Sequence, residues 1–296
     1  MTPCASIGAV GSSRRMSSPL VSAESLAREL SEDPALVLLD ARAGSDARER
    51  FRAEHLRGAR FVSGDVDLAQ PGDPAQGGRH PLPPAAVFAA TLARLGVGAG
   101  SRVVVYDDKN GTNPAARAWW MLRAAGLDAR VLDGGLVEAL AAGIRAETGD
   151  PPIAAVPPSP LERWLLPTVT IDRIEALSLA PSVPVLDARS AARHRGDADP
   201  FDPRPGHIPR TTSAPHEASL DADGRMLDAA TLRARFEALL GGHVPAEAIV
   251  YCGSGVTACH LLLAMEHAGL PGAALYVGSF SEWTRTGRPV ATGLGT

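Results

Sequence analysis

A cysteine that directly follows a short apolar run is the residue of this sequence best placed for nucleophilic chemistry. Residues 248–251, AIVY, predict a buried strand that ends at Cys252, and Gly-Ser-Gly then leads into the helical pattern of residues 257–265. In an α/β domain, ligands collect at the carboxyl ends of the strands. The two glycines let successive backbone N–H groups converge on one point, and the first helical turn adds unpaired donors and the positive end of its dipole. A thiolate or persulfide on Cys252 would therefore be stabilised as an anion.

The other two cysteines do not share this setting. Cys259 lies inside the helical pattern after the loop, where a packing role is favoured, and Cys4 lies near the N-terminus. The competing interpretation of Cys252, a small buried side chain at a strand end, is disfavoured by the glycine-rich context. Three cysteines without a CxxC pair argue against a disulfide framework and against a cysteine-based zinc site. A reducing, cytoplasmic setting is expected.

The loop Cys-Gly-Ser-Gly-Val-Thr at residues 252–257 resembles the active loop of 3-mercaptopyruvate sulfurtransferases, which belong to the tandem rhodanese family. The resemblance runs from about residue 18 to residue 293. It implies that Cys252 is catalytic and carries sulfur as a persulfide. It also implies that the loop binds substrate through four residues: Gly253, Gly255, Val256 and Thr257. Relatives that prefer thiosulfate typically carry basic residues between the cysteine and the glycine, whereas this chain has Gly253 and Ser254 there.

The segment 187–209, DARSAARHRGDADPFDPRPGHIP, resembles the family's arginine-bearing loop. A guanidinium binds a carboxylate in a bidentate geometry, which suits a small α-keto acid. The resemblance implies that Arg193 and Arg204 hold the substrate carboxylate, although about two extra residues lie between them, around Asp199 to Phe201. The alternatives are the two nearby arginines, Arg189 and Arg195, and each of these arginines could instead be a solvated loop charge.

Two residues of the first half resemble groups that such enzymes place across the domain cleft. Asp67 in GDVD and His80 in RHPLPP would act with the loop serine, Ser254. In that scheme Ser254 relays a proton to the leaving pyruvate enolate, His80 polarises the hydroxyl and Asp67 orients the imidazole. The alternative interpretation is a surface histidine and a turn aspartate in a Gly/Pro-rich loop.

The elements that position these residues are predicted by an imperfect internal repeat. VLLDAR at 37–42 is matched by VLDAR at 185–189, and VVVY at 103–106 is matched by AIVY at 248–251. Cognate pieces in the same order point to duplication of one domain. Each half alternates short apolar runs with helical patterns, which predicts α/β architecture. We therefore expect two tandem rhodanese-like domains, each a mainly parallel sheet flanked by helices.

A proline-rich segment predicts where the first domain ends and the second begins. Residues 150–168 contain six prolines, so this stretch should be an extended linker. It separates a first domain at 18–149 from a second at 169–296. In the first domain Asp107 takes the position that Cys252 takes in the second. A carboxylate cannot serve as a sulfur nucleophile, so only the second domain should be catalytic.

Composition limits the classes of partner. The chain has 296 residues, 45% of them hydrophobic and 21% charged, and a formal net charge of -4. This balance gives no reason to expect nucleic acid or an anionic membrane as the main partner. No apolar run approaches the roughly 20 residues that span a bilayer. Residues 1–15, with the pair Arg14-Arg15, lack the apolar stretch of an export signal and are expected to be a tail or an upstream-extended start.

The sequence thus predicts a sulfurtransferase that moves sulfur from 3-mercaptopyruvate to a thiol acceptor, or to cyanide in an assay, and releases pyruvate. No metal or organic cofactor is implied, and a thioredoxin-like protein is one candidate acceptor. Three alternatives are a thiosulfate sulfurtransferase, a cysteine phosphatase and a non-enzymatic rhodanese-like interaction module. A phosphatase would need an arginine closing the loop, where this chain has Ala258 and then Cys259. An interaction module has no need for Cys252.

Overall fold

The structure, a computed structural model, describes residues 18–111 and 113–293. The expectations about Cys4, the Arg14-Arg15 pair and the tail at 1–15 lie outside the described residues. Within the described ranges no helix is long and apolar enough to cross a membrane.

The first half of the chain builds one parallel sheet with a small antiparallel ribbon. Its strands are β1 (Leu20–Val21), β2 (Val37–Arg42), β3 (His55–Leu56), β4 (Arg60–Ser63), β5 (Arg102–Tyr106), β6 (Asp128–Leu132) and β7 (Ala146–Glu147). Five of them form a sheet in the order β1-β6-β5-β2-β4, with every pair parallel, and β3 pairs with β7. Its helices are α1 (Ala23–Glu32), α2 (Ala47–Ala53), α3 (Ala85–Arg94), α4 (Pro114–Ala124) and α5 (Gly135–Ala141).

The second half repeats this arrangement. Its strands are β8 (Thr168–Val169), β9 (Val185–Asp187), β10 (Thr212–Ser213), β11 (Ile249–Tyr251) and β12 (Ala274–Tyr276). They form a parallel sheet in the order β8-β12-β11-β9-β10. Its helices are α6 (Ile171–Leu179), α7 (Ala191–Arg195), α8 (Ala229–Leu240), α9 (Thr257–His267) and α10 (Ser279–Trp283). The two sheets have equivalent strand orders, so the predicted fold, two tandem α/β domains with parallel sheets, is confirmed.

The strands read as continuous apolar runs because helices cover both faces of each sheet. All six residues of β2 are buried, including Asp40 and Arg42, whose side chains form an ion pair at 2.7 Å. Asp187 and Arg189 repeat that pair in the second domain, also at 2.7 Å. A buried carboxylate next to a guanidinium avoids the cost of an unpaired charge in the core.

The domains meet through α4 and α9. Residues of both helices belong to one hydrophobic cluster, and Arg123 of α4 donates to Glu266 of α9 at 2.9 Å. The segment between β7 and β8 carries no helix or strand, and its Trp164 packs against Phe88 and Trp120, with ring centroids 5.3 Å and 6.3 Å away. This packing brings the carboxyl end of the second sheet against loops of the first domain.

Candidate active site

Cys252 follows the middle strand of the second sheet and is 1% exposed. Its amide donates to the Ser279 hydroxyl at 3.2 Å, and its carbonyl accepts from the Phe280 amide at 3.0 Å. The next carbonyl, of Gly253, accepts from the amide of Ser281 at 2.8 Å. Helix α10 therefore anchors Cys252 and Gly253, the start of the loop.

The loop after Cys252 turns tightly into α9. Gly255 has φ of +77°, and a Cβ on it would overlap the carbonyl oxygen of Val277, so glycine is required there. Helix α9 begins at Thr257 without a side-chain N-cap. The amides of its first turn are therefore not taken by a capping side chain and suit an anionic sulfur.

A pocket of about 370 Å³ opens at this loop and is lined by both domains. Cys252, Gly253, Ser254, Val256 and Thr257 all contribute to its wall. Its charged lining residues are four basic side chains and one carboxylate: Arg79, Lys109, Arg117, Arg193 and Asp65. The wall carries an excess of positive charge, which favours a small anion as ligand.

Arg193 lies over the loop that follows Cys252. Its Nη2 is 3.0 Å from the position that a Cβ on Gly253 would occupy. The same guanidinium donates from Nε and Nη2 to the Asp199 carboxylate, at 3.1 Å and 2.9 Å. Asp199 and Phe201 belong to the extra residues noted in the sequence, and this insertion orients the Arg193 side chain.

Arg204, the other predicted carboxylate-binding arginine, does not line this pocket. Its Nη2 donates to the carbonyl oxygens of Thr284 and Arg288, at 3.1 Å and 2.7 Å. The guanidinium therefore satisfies backbone acceptors after α10.

The two alternative arginines have other partners as well. Arg189 is buried on Asp187 and Asp199 and packs over the Phe280 ring, while Arg195 pairs with Asp197 near the surface. Neither lines the pocket.

His80 and Ser254 both line the pocket, but Asp67 does not. The Asp67 carboxylate accepts from the Ser63 amide at 2.9 Å and from Arg94 at 2.6 Å. The carboxylate beside His80 is that of Asp65, with Oδ1 3.6 Å from Nε2. The turn after β4 folds the Asp67 side chain back onto Ser63.

The environment of His80 keeps its imidazole neutral. Burial lowers the pKa of His80, and the charges of Arg117 and Arg79 lower it further, against the opposing effect of Asp65. No hydrogen-bond partner for Nδ1 is found within 18–111 and 113–293. With the proton on Nε2, beside Asp65, the buried Nδ1 carries the lone pair and is the hydrogen-bond acceptor of the ring.

Arg117 is a site residue that sequence reasoning missed. It is 1% exposed and donates to the Gly255 carbonyl at 3.1 Å and to the His80 carbonyl at 3.0 Å. It therefore links the loop after Cys252 to the first-domain loop that carries His80. The signal was an arginine in the otherwise apolar pattern PAARAWWML of α4, where a charge needs buried partners.

Cys259 does not share the setting of Cys252. Its thiol donates to the Gly255 carbonyl at 3.3 Å, and burial raises its pKa to about 12. A thiol in that state is a poor nucleophile at neutral pH. The structure thus agrees with a packing role for this residue.

The chain matches the model of the rhodanese-like domain twice, at residues 22–142 and 170–286. It is 41% identical over 286 residues to a probable 3-mercaptopyruvate sulfurtransferase of Pseudomonas aeruginosa, covering 94% of this chain and 99% of that protein. It is 37% identical to a putative thiosulfate sulfurtransferase, SseB, of Mycobacterium tuberculosis, covering 93% and 97% of the two chains. The solved 3-mercaptopyruvate sulfurtransferase from Leishmania major superposes with a TM-score of 0.80 at 30% identity, over 91% of this chain and 75% of that one.

Both halves of the chain therefore match one family, and the Pseudomonas aeruginosa and Mycobacterium tuberculosis relatives align with it over nearly their full length. The equivalent strand orders of the two sheets and the cysteine at the end of β11 agree with that match. The chain belongs to the rhodanese family of sulfurtransferases, with two tandem rhodanese-like domains.

Proposed function

We propose that this sulfurtransferase takes sulfur from 3-mercaptopyruvate, carries it as a persulfide on Cys252 and releases pyruvate. The observation that carries the proposal is the convergence of Cys252, Arg193, His80 and Ser254 on one pocket. This set offers a nucleophile, a carboxylate-binding group and a proton relay within a single site. The names of the Pseudomonas aeruginosa and human relatives, both 3-mercaptopyruvate sulfurtransferases, support the choice of donor.

In the first half-reaction the Cys252 thiolate attacks the sulfur of mercaptopyruvate. A sulfur–sulfur bond forms, the carbon–sulfur bond breaks, and its electron pair stays on carbon as the enolate of pyruvate. Arg193 binds the carboxylate and so aligns the sulfur for attack. The Ser254 hydroxyl, polarised by His80 with Asp65 beside it, supplies the proton that converts the enolate to pyruvate.

In the second half-reaction an acceptor thiolate attacks the outer sulfur of the persulfide, and Cys252 leaves as thiolate. The loop amides and the first turn of α9 stabilise that leaving thiolate. A small thiol, cyanide in an assay, or a thioredoxin-like protein would serve as acceptor. The two half-reactions give ping-pong kinetics.

Thiosulfate is the second candidate donor. The four basic side chains that line the pocket favour it, as does the name of the Mycobacterium tuberculosis relative. The loop itself weighs against it as the preferred donor, because Gly253 and Ser254 carry no charge.

The test is to incubate the reduced protein separately with mercaptopyruvate and with thiosulfate. Pyruvate release is measured for the first donor, and the Cys252 peptide is examined for a persulfide mass increment with both. Mercaptopyruvate should give pyruvate, the increment and the higher kcat/KM. A clear thiosulfate preference would overturn the proposed donor, and absence of the increment with both donors would overturn the persulfide mechanism.

A further inference from the structure

We propose that the stacked imidazoles of His194 and His207 form an acid-sensitive contact, which holds the C-terminal segment, residues 290–293, on helix α7. Helix α7 also carries Arg193, so opening of this contact at low pH weakens donor binding. The effect on donor binding rests on the proposed function, whereas the opening itself does not.

Two buried histidines lie face to face in the second domain. The ring centroids of His194 and His207 are 3.8 Å apart, and the ring planes differ by only 8°. Nδ1 of His207 donates to the His194 carbonyl at 2.7 Å, so the other ring nitrogen, Nε2, is the one that accepts a proton. Within the described ranges that Nε2 has no hydrogen-bond partner.

The histidine pair joins α7 to the C-terminal segment. The His207 amide donates to the Ala291 carbonyl at 2.8 Å, and the Ala291 amide donates to the His207 carbonyl at 2.9 Å. The Gly293 amide donates to the Arg195 carbonyl, at the end of α7, at 2.8 Å. The segment therefore holds the end of the helix that carries Arg193.

The charges around the pair do not neutralise a proton on His207. The ionisable groups that surround the pair belong to four residues: Asp187, Arg189, Asp199 and Tyr251. The Asp187 carboxylate lies 3.1 Å from Nδ1 of His194, where it can balance one positive charge. The C-terminal segment contributes no ionisable side chain. A second proton, on His207, would therefore be a buried charge without a partner, stacked on another cation.

Protonation of His207 favours the open form. Burial lowers the pKa of His207, and the charges of His194 and Arg189 lower it further, against the opposing effects of the His194 carbonyl and of Asp187. In the open form the ring meets water and regains an ordinary pKa of about 6.5. The open form then binds the proton more readily, so opening increases as the pH falls below about 6.5, by about tenfold per pH unit for one proton.

The first domain repeats this arrangement with a neutralising carboxylate. His55 stacks on Phe51 with ring centroids 3.9 Å apart and donates from Nδ1 to the Phe51 carbonyl at 2.8 Å. The phenyl ring takes no proton, and Oε1 of Glu147 lies 3.3 Å from Nε2 of His55. Glu147 is paired with His55 in the antiparallel ribbon as Ala291 is paired with His207. The second domain thus has an alanine where the first has the carboxylate.

Hydrogen exchange with mass spectrometry at about pH 7.5 and about pH 5.5 tests the contact, with rates corrected for the intrinsic pH dependence of exchange. In the wild type, peptides that contain Ala291 should lose about 10-fold in protection between these pH values, and peptides that contain Glu147 should keep theirs. Ala291→Glu copies the first-domain carboxylate and should limit the loss to less than about threefold. Ala291→Gln, the matched control, adds similar bulk without charge and should behave as the wild type.

Glu147→Gln is the converse variant. It removes the carboxylate beside His55, so peptides of the first-domain ribbon should now lose protection at about pH 5.5. Thermal melting at neutral pH establishes that each variant is folded. Unchanged protection around Ala291 in the wild type would overturn the inference, as would equal protection in Ala291→Glu and Ala291→Gln.

The link to donor binding is tested by kcat/KM for mercaptopyruvate over the same pH range. The acid decline should be smaller in Ala291→Glu than in the wild type, because any contribution of His80 is common to both proteins. Equal declines would overturn the link to donor binding. A wild type that releases no pyruvate at neutral pH would overturn the proposed function, and the exchange experiment would still decide whether the contact is acid-sensitive.

Discussion

Asp107 and Cys252 occupy equivalent positions, each directly after the middle strand of its sheet, β5 and β11. The Asp107 carboxylate accepts from the amides of Lys109, Gly111 and Ala115, at 2.8, 2.7 and 3.2 Å. In the first domain, the Asp107 carboxylate therefore occupies the point on which the loop amides converge. The second domain places the Cys252 side chain at that position.

Asp107→Ala should lower the free energy of unfolding but leave the rate of persulfide formation largely unchanged. The substitution leaves two buried amides and one part-buried amide without their acceptor, which should cost about 2–4 kcal/mol of unfolding free energy. Burial raises the pKa of Asp107, so part of the stabilisation by its charge is already offset. Denaturant unfolding and single-turnover persulfide formation would measure the two effects. A loss of turnover as deep as that of Cys252→Ser, in a folded protein, would contradict a non-catalytic first domain.

Cys252→Ser should abolish pyruvate release and the persulfide, whereas Cys259→Ser should keep most of the activity. The reason is that Cys252 borders the pocket, while Cys259 is buried with a pKa raised to about 12. Mass spectrometry of the two cysteine peptides after donor treatment checks the assignment. Substantial turnover in a verified Cys252→Ser protein would end the persulfide hypothesis.

Arg193→Ala and Arg204→Ala should differ, although both match the family's arginines by sequence. Arg193 lines the pocket, so its loss should lower kcat/KM for mercaptopyruvate by about 10- to 150-fold. Arg204 bonds to the Thr284 and Arg288 carbonyls, so its loss should lower the melting temperature and leave kcat/KM within a few-fold at 25 °C. Equal kinetic losses in the two variants would place Arg204 in the donor site after all.

The pH profile of kcat should show which carboxylate, that of Asp65 or that of Asp67, acts on His80. Because burial lowers the pKa of His80, its protonation and the loss of kcat should occur below about pH 6.5, the ordinary histidine value. The charge of Asp65 raises the pKa of His80, so Asp65→Asn should move that acidic limb to still lower pH. Asp67→Asn should leave the limb in place, and the reverse pattern would restore the original assignment of Asp67.

The lowered pKa of His80 also predicts that the unfolding free energy depends on pH. The pKa of His80 is lower in the folded state than in the unfolded state, so the unfolded chain binds the proton more readily. This contribution lowers the unfolding free energy as the pH falls below about 6.5. In His80→Asn the contribution disappears, and the acid side of the unfolding curve should flatten when it is followed by denaturant titration.

The sequence by itself determined the parts of this protein that are contiguous in the chain. The strand–cysteine–glycine loop–helix unit at 248–265 has its strand, turn and helix signals within a few residues of one another, so local rules identify it. The internal repeat determined the fold in the same way, because each copy carries its own apolar periodicity and the two sheets have equivalent strand orders.

The tertiary structure alone decided which side chains face Cys252 across the domain cleft. Arg79 and Arg117 reach the loop only because the first domain docks on α10 and α9. Asp65 replaces Asp67 beside His80 because a turn directs one carboxylate into the pocket and the other back onto Ser63. These outcomes depend on docking and on loop rotamers, and neither leaves a periodic signal in the sequence.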